Sequence, residues 1–173
     1  EIESNIEKLI RRQYHDLVEF EEELGVYSNP FGISDNGHFT KRVYLNGGLI
    51  YWNNDDYAPS YSYLKKPDSV YCVKDSWGIK LVQRRQVWAE NDLIEIYSIE
   101  TISSPPRIIN QYLEPSLNDQ VFGEYAVTFI NSGNWEVKYG DSLLFKCNID
   151  SQSTRLHEVG AIFSFILLCF FLL

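Results

Sequence analysis

Val43-Tyr44-Leu45-Asn46-Gly47-Gly48-Leu49-Ile50-Tyr51-Trp52 is the stretch that decides the fold class. Two short runs rich in β-branched and aromatic residues flank Asn46-Gly47-Gly48. Asn and Gly adopt positive φ at little cost, so the stretch predicts a β-hairpin. Upstream, Asn29 to His38 holds Pro30, Gly32, Asp35, Asn36 and Gly37, the composition of a turn-rich connection. Further back the apolar period is helical. Ile2, Ile6, Leu9, Ile10, Leu17, Phe20 and Leu24 share one stripe, and Glu3, Glu7, Lys8, Arg11, Arg12, Glu19, Glu22 and Glu23 fill the rest. Ser4 and Glu7 have the spacing of a capping box, and Gly25 suits a helix terminus.

Downstream of the hairpin comes a polar, tyrosine-rich loop from Asn53 to Pro67. Strands are expected at Ser69 to Lys74, Ile79 to Trp88 and Leu93 to Ile99. Pro105, Pro106 and Pro115 make Ser103 to Asn118 a long connection. Two last strands, Phe122 to Ile130 and Trp135 to Cys147, are expected around Asn131 to Asn134, with Gly140-Asp141 marking a turn or bulge in the second. One helix followed by six to eight strands predicts an α+β domain, its N-terminal amphipathic helix packed on an antiparallel β-sheet. A β-sandwich with an external helix is the alternative.

The chain has 173 residues, 45% hydrophobic and 23% charged, with a formal net charge of −9. That is a single folded domain. An acidic chain repels phosphate, so a conventional nucleic-acid partner is excluded.

At the C-terminus, Val159 to Leu173 is an apolar run of about 15 residues without a charge. As a helix it reaches roughly 22 Å, less than the roughly 30 Å of a bilayer's hydrocarbon core. Before it lie a polar spacer and a cluster of small residues. This is the pattern of a glycosylphosphatidylinositol (GPI) attachment signal, with Asn148 as the first candidate acceptor and Ser151 the next. A membrane helix and a buried core helix are the alternatives. The organisation expected is an extracellular globular domain over 1–147, the attachment site and spacer over 148–158, and the GPI-signal or membrane segment over 159–173. Such a chain needs a secretory leader, and a sequence that begins at Glu1 and contains no methionine fits one already trimmed. In that oxidising compartment Cys72 and Cys147 are expected to pair, closing a loop of about 75 residues for about 4 kcal/mol. Cys169 lies in the tail. No Asn-X-Ser/Thr sequon occurs.

Tyr14, Leu24-Gly25, Asn29-Pro30, Gly37 and the run Tyr44 to Trp52 carry a resemblance. Over residues 10–52 the chain resembles one copy of the LGFP repeat of cell-surface proteins, in which a helix leads to a Leu-Gly turn and a glycine-tipped hairpin ending Ile-Tyr-Trp. It departs from that pattern at Val26-Tyr27-Ser28, and a single copy is visible where such repeats usually come in tandem. The resemblance implies an extracellular interaction module with no catalytic mechanism.

Little in the sequence points to chemistry. His15, His38 and His157 lack metal-ligand spacing, and no CxxC occurs, so neither a metal nor a cofactor is expected. Asp55-Asp56, between Trp52 and Tyr57, is the best catalytic candidate. Paired carboxylates beside aromatics suit glycan cleavage, although neighbours in a loop rarely aim at one point. Arg84-Arg85 in a strand should face opposite sides. The aromatic load is more telling: Tyr44, Tyr51, Trp52, Tyr57, Tyr61, Tyr63 and Tyr71 crowd together. Alternation places several in the core, which leaves Trp52, Tyr57, Tyr61 and Tyr63 as the expected ligand-binding residues. The function expected is a GPI-anchored or membrane-tethered, non-catalytic binding or adhesion domain. It sits on the outer face of the plasma membrane, its partners being the membrane and an extracellular protein or glycan. A surface glycan-active enzyme, or a structural subunit of a membrane complex, is the alternative.

Overall fold

The computed structural model describes residues 1–26, 38–54, 58–106 and 115–150. The first helix, α1, spans Ile2–Val26. Its stripe of Ile2, Ile6, Leu9, Ile10, Leu17 and Phe20 is buried, as the helical period requires. The hairpin follows as β1 (Thr40–Leu45) and β2 (Gly48–Trp52). Leu45 faces Gly48 across a two-residue turn, and both turn residues, Asn46 and Gly47, have positive φ. A register shift between Val43 and Tyr44 leaves Ile50 as the extra residue of a bulge.

A one-turn helix, α2 (Tyr61–Leu64), precedes β3 (Val70–Asp75), β4 (Gly78–Ala89) and β5 (Asp92–Ser104). The main sheet runs β2-β1-β5-β4-β3, antiparallel throughout, with β6 (Ser116–Leu117) added to the end of β5. Since β2 and β3 are opposite edges, the chain between them must cross one face of the sheet. It crosses the face away from α1, and α2 lies on that crossing with Leu64 buried among Tyr44, Tyr71, Val82 and Tyr97. The main sheet is therefore covered on both sides. A second, smaller sheet follows α3 (Asp119–Phe122) and runs β7-β9-β8, from β7 (Ala126–Thr128), β8 (Trp135–Tyr139) and β9 (Ser142–Asp150).

Three apolar clusters hold these layers. The N-terminal half of α1 packs with Ile79, Leu81, Ile102, Phe122, Val137 and Phe145, joining both sheets. Its C-terminal half places Leu17 and Phe20 on Val43, Tyr51 and Ile96. The third cluster lies under α2. Each fully buried apolar side chain contributes about 1.5–3 kcal/mol. Two glycines are sterically required. A Cβ on Gly78, at φ +116, would stand 1.9 Å from the Ser103 carbonyl oxygen, and one on Gly133 would stand 2.6 Å from the Cys147 nitrogen.

The α+β class is as expected, but Ser4 lies inside α1, α2 interrupts the expected loop, β5 runs on to Ser104, β6 falls in the expected connection, and two further stretches differ. Phe122 to Ile130 is not one strand. The Asn118 side chain accepts from the Gln120 N–H at 3.0 Å and starts α3, Gly123 at φ 57 ends it, and only Ala126–Thr128 is extended. Trp135 to Cys147 is a hairpin turned at Gly140-Asp141, and its second strand runs on through Asn148 and Ile149 to Asp150. The folded unit therefore extends past the expected boundary at residue 147. Among the described residues no helix is long and apolar enough to cross a membrane; residues 151–173 lie outside them.

Candidate functional site

The face of the main sheet away from α1 is built by strand parity. Tyr44, Glu95, Tyr97, Val82 and Arg84 share it, because Tyr44 pairs with Glu95 and Arg84 with Tyr97 in the register. Glu95 is buried at its centre. Its carboxylate accepts from the Tyr61 hydroxyl, from the Tyr97 hydroxyl at 3.1 Å and from Gln86 Nε2 at 3.1 Å, with the Arg84 guanidinium 3.8 Å away. Arg84 also donates to the Pro67 carbonyl at 2.9 Å. The Tyr61 ring stacks on Tyr44 with centroids 4.5 Å apart, and Tyr97 meets Tyr44 edge-on at 5.6 Å. Tyr71 donates its hydroxyl to the Leu64 carbonyl, and Lys66 lies 5.0 Å over the Tyr71 ring.

The ionisation states follow from this geometry. Burial alone would raise Glu95, but hydrogen bonds from Tyr61, Gln86 and Tyr97 and the charge of Arg84 hold it below the usual carboxylate value. The hydrogen bond to Glu95, with burial and the negative charge behind it, pushes Tyr61 up to about 12. Burial raises Tyr71 and Tyr97 as well. The cluster is thus a carboxylate surrounded by neutral phenols, with its acceptor capacity used internally. It fastens α2 to the sheet.

The expected binding residues divide accordingly. Tyr61 belongs to this closed cluster and is not free to contact a ligand through its hydroxyl. Tyr63, on the outer side of α2, is 57% exposed, and Trp52, the last residue of β2, is 44% exposed. Tyr57 lies outside the described residues, as do Asp55 and Asp56. Sequence reasoning missed Trp88, which is 70% exposed. It pairs with Leu93 and so shares the face of Glu95, while Trp52 pairs with Arg42 on that same face. Leu49, opposite Tyr44, is also exposed there. The remaining tryptophans, Trp77 at 57% and Trp135 at 50%, are exposed too, so all four tryptophans of the chain lie outside the core.

The other candidates are placed as follows. Arg84 and Arg85 do face opposite sides: Arg85 pairs with Glu21 on α1 and lies 5.7 Å over the Tyr14 ring. Cys72 and Cys147, expected to pair, are free thiols, and no cysteine pair stands at disulfide distance among the described residues. Burial pushes Cys72 up to about 12, with Lys66 opposing it, and raises Cys147. Neither is a thiolate at neutral pH. Asn148, the first acceptor candidate, is inside β9 opposite Thr128, and its Oδ1 accepts from the Asn134 N–H at 2.9 Å. Ser151 lies outside the described residues. No group of three or more metal-ligating side chains occurs among the described residues.

No protein-family model matches the chain, and no curated protein or solved structure is similar to it.

Proposed function

We propose that the chain is a non-catalytic binding domain carried on the outer face of the plasma membrane, recognising an extracellular protein or glycan through the aromatic face around α2. The observation that carries this reading is the exposure of all four tryptophans. Tryptophan is highly buried on average, so Trp52 at 44% and Trp88 at 70% exposure on one face support reading that face as a contact surface. Trp52, Tyr63 and Trp88, with Leu49, are the contact residues of the proposal. They offer large rigid area at low entropy cost, the quality that recognition surfaces favour.

The tether in this proposal is a GPI anchor or the apolar segment 159–173 itself. Cleavage after Asn148 would remove Ile149 and Asp150, which pair with Val127 and Ala126. Ser151 leaves β9 whole and is the preferred acceptor. Treatment of expressing cells with a phosphatidylinositol-specific phospholipase C is expected to release the protein. Mass spectrometry of the released polypeptide should then find it ending at Ser151. Protein that stays on the membrane with Val159 to Leu173 intact overturns the lipid anchor and leaves the apolar segment as the tether. Protein recovered inside the cell overturns the location.

A further inference from the structure

A cleft of about 740 Å³ opens beside the second sheet, where the start of α1 meets β7, β8 and β9. Its size is that of a small-ligand site, and it is remote in sequence from the α2 face. Ile2, Cys147 and Ile149 supply its apolar lining. Half-exposed Trp135 and exposed Tyr125 add aromatic rings. The Tyr125 hydroxyl donates to the Glu1 carboxylate at 2.9 Å, which fixes that ring. Glu3, Thr128, Asn134 and Asn148 also line it. The Oδ1 of Asn148 accepts from the Asn134 backbone N–H, which leaves its Nδ2 as the donor end of that amide.

We infer that this cleft binds a neutral carbohydrate, one or two pyranose rings long, stacked on Trp135. The chemistry of the lining selects the class. Its charged side chains are Glu1 and Glu3, both acidic. Carboxylates accept hydroxyl protons, while the amides of Asn134 and Asn148 donate to hydroxyl oxygens. A sugar hydroxyl is both donor and acceptor and uses both kinds of group, and its C–H face suits an indole. A quaternary ammonium satisfies the rings and carboxylates but gives the amide donors nothing to bond. The site is separate from the α2 face, so either stands if the other fails.

The test uses the full chain, purified in a detergent without a sugar headgroup. It is titrated with lactose, maltose, cellobiose, mannobiose and diacetylchitobiose to about 10 mM, above the Kd of weak millimolar binders. Calorimetry and tryptophan fluorescence are read in parallel. At least one disaccharide is expected to bind saturably and with little dependence on salt. Trp135→Ala should weaken it at least about tenfold, and Glu3→Gln about threefold. Glu22→Gln, on the exposed side of α1 near its far end and outside the cleft, should leave it unchanged. Circular dichroism confirms that each variant is folded, and Glu3→Gln, a surface change of one atom, keeps the test valid if Trp135→Ala is not. Absence of saturable binding across the panel overturns the inference. So does binding of tetramethylammonium that is lost in Glu3→Gln while no sugar binds.

Discussion

On the outer face of the main sheet Tyr44, Tyr71 and Tyr97 are buried around Glu95, while Trp52 and Trp88, on the same face, remain exposed. Both residue types are large amphipathic aromatics, and what separates them is cover and partner. The helix α2 has four residues and is about 6 Å long, so it shields the middle of the sheet and leaves the strand ends open. The inner phenols also find acceptors, Glu95 for Tyr97 and the Leu64 carbonyl for Tyr71. Trp52 ends β2 and Trp88 lies near the end of β4, beyond that shield. The tyrosines hold the fold, and Trp52 and Trp88 lie outside their cover.

If the inner layer is structural, its centre is the most sensitive point. Glu95→Ala leaves Arg84 and the phenols of Tyr61 and Tyr97 without their shared acceptor inside the protein. Chemical denaturation should show a loss of about 3–5 kcal/mol, the cost of breaking a buried charged network. A loss under about 1 kcal/mol would mean the cluster is incidental.

The acid limb of stability should report the same residue. Glu95 is held below its unfolded value of about 4.5, so its contribution is present above that pH and lost as pH falls through the folded value. Glu95→Gln, which cannot titrate, is expected to flatten that limb. An unchanged acid limb would separate Glu95 from acid unfolding.

Tyr61 gives a smaller effect of opposite sense. Tyr61→Phe removes one hydroxyl bonded to a carboxylate and should cost about 1–2 kcal/mol. With its folded value near 12 against 10.0 unfolded, its contribution is complete below pH 10 and lost as pH rises toward 12. The variant should therefore lose less stability than the native chain across that window. A steeper alkaline loss in Tyr61→Phe would contradict the assignment.

The rim should barely register in stability. Trp88→Ala is expected to shift the unfolding free energy by no more than about 0.5 kcal/mol, as for an exposed site. A larger loss would return Trp88 to the core.

Much of this architecture is readable from periodicity. The stripe from Ile2 to Phe20 gives α1, and Asn46-Gly47 gives the hairpin. Phe122 misleads because its aromatic ring favours strands in general, and the local cap from Asn118 overrides that preference. Glu95 is harder. In a strand from Leu93 to Ile99 it reads as a solvent-facing residue between Ile94 and Ile96. Only the crossing of the chain between β2 and β3 buries it. One signal was available: β5 is apolar on both sides, with Ile94 and Ile96 on one and Tyr97 and Ile99 on the other, and a strand of that kind belongs to a sheet covered on both faces. Tyr63 and Trp52 were legible as surface aromatics, whereas Trp88 reads as one more strand residue until the end of α2's cover is known.

Acrylamide quenching of the intrinsic fluorescence of the full chain addresses the exposure of the four indoles most directly. Every tryptophan should be accessible to the neutral quencher, giving a single red-shifted, fully quenchable emission. A blue-shifted fraction that resists quenching would place at least one tryptophan in the core and remove the ground for reading the rim as a binding surface.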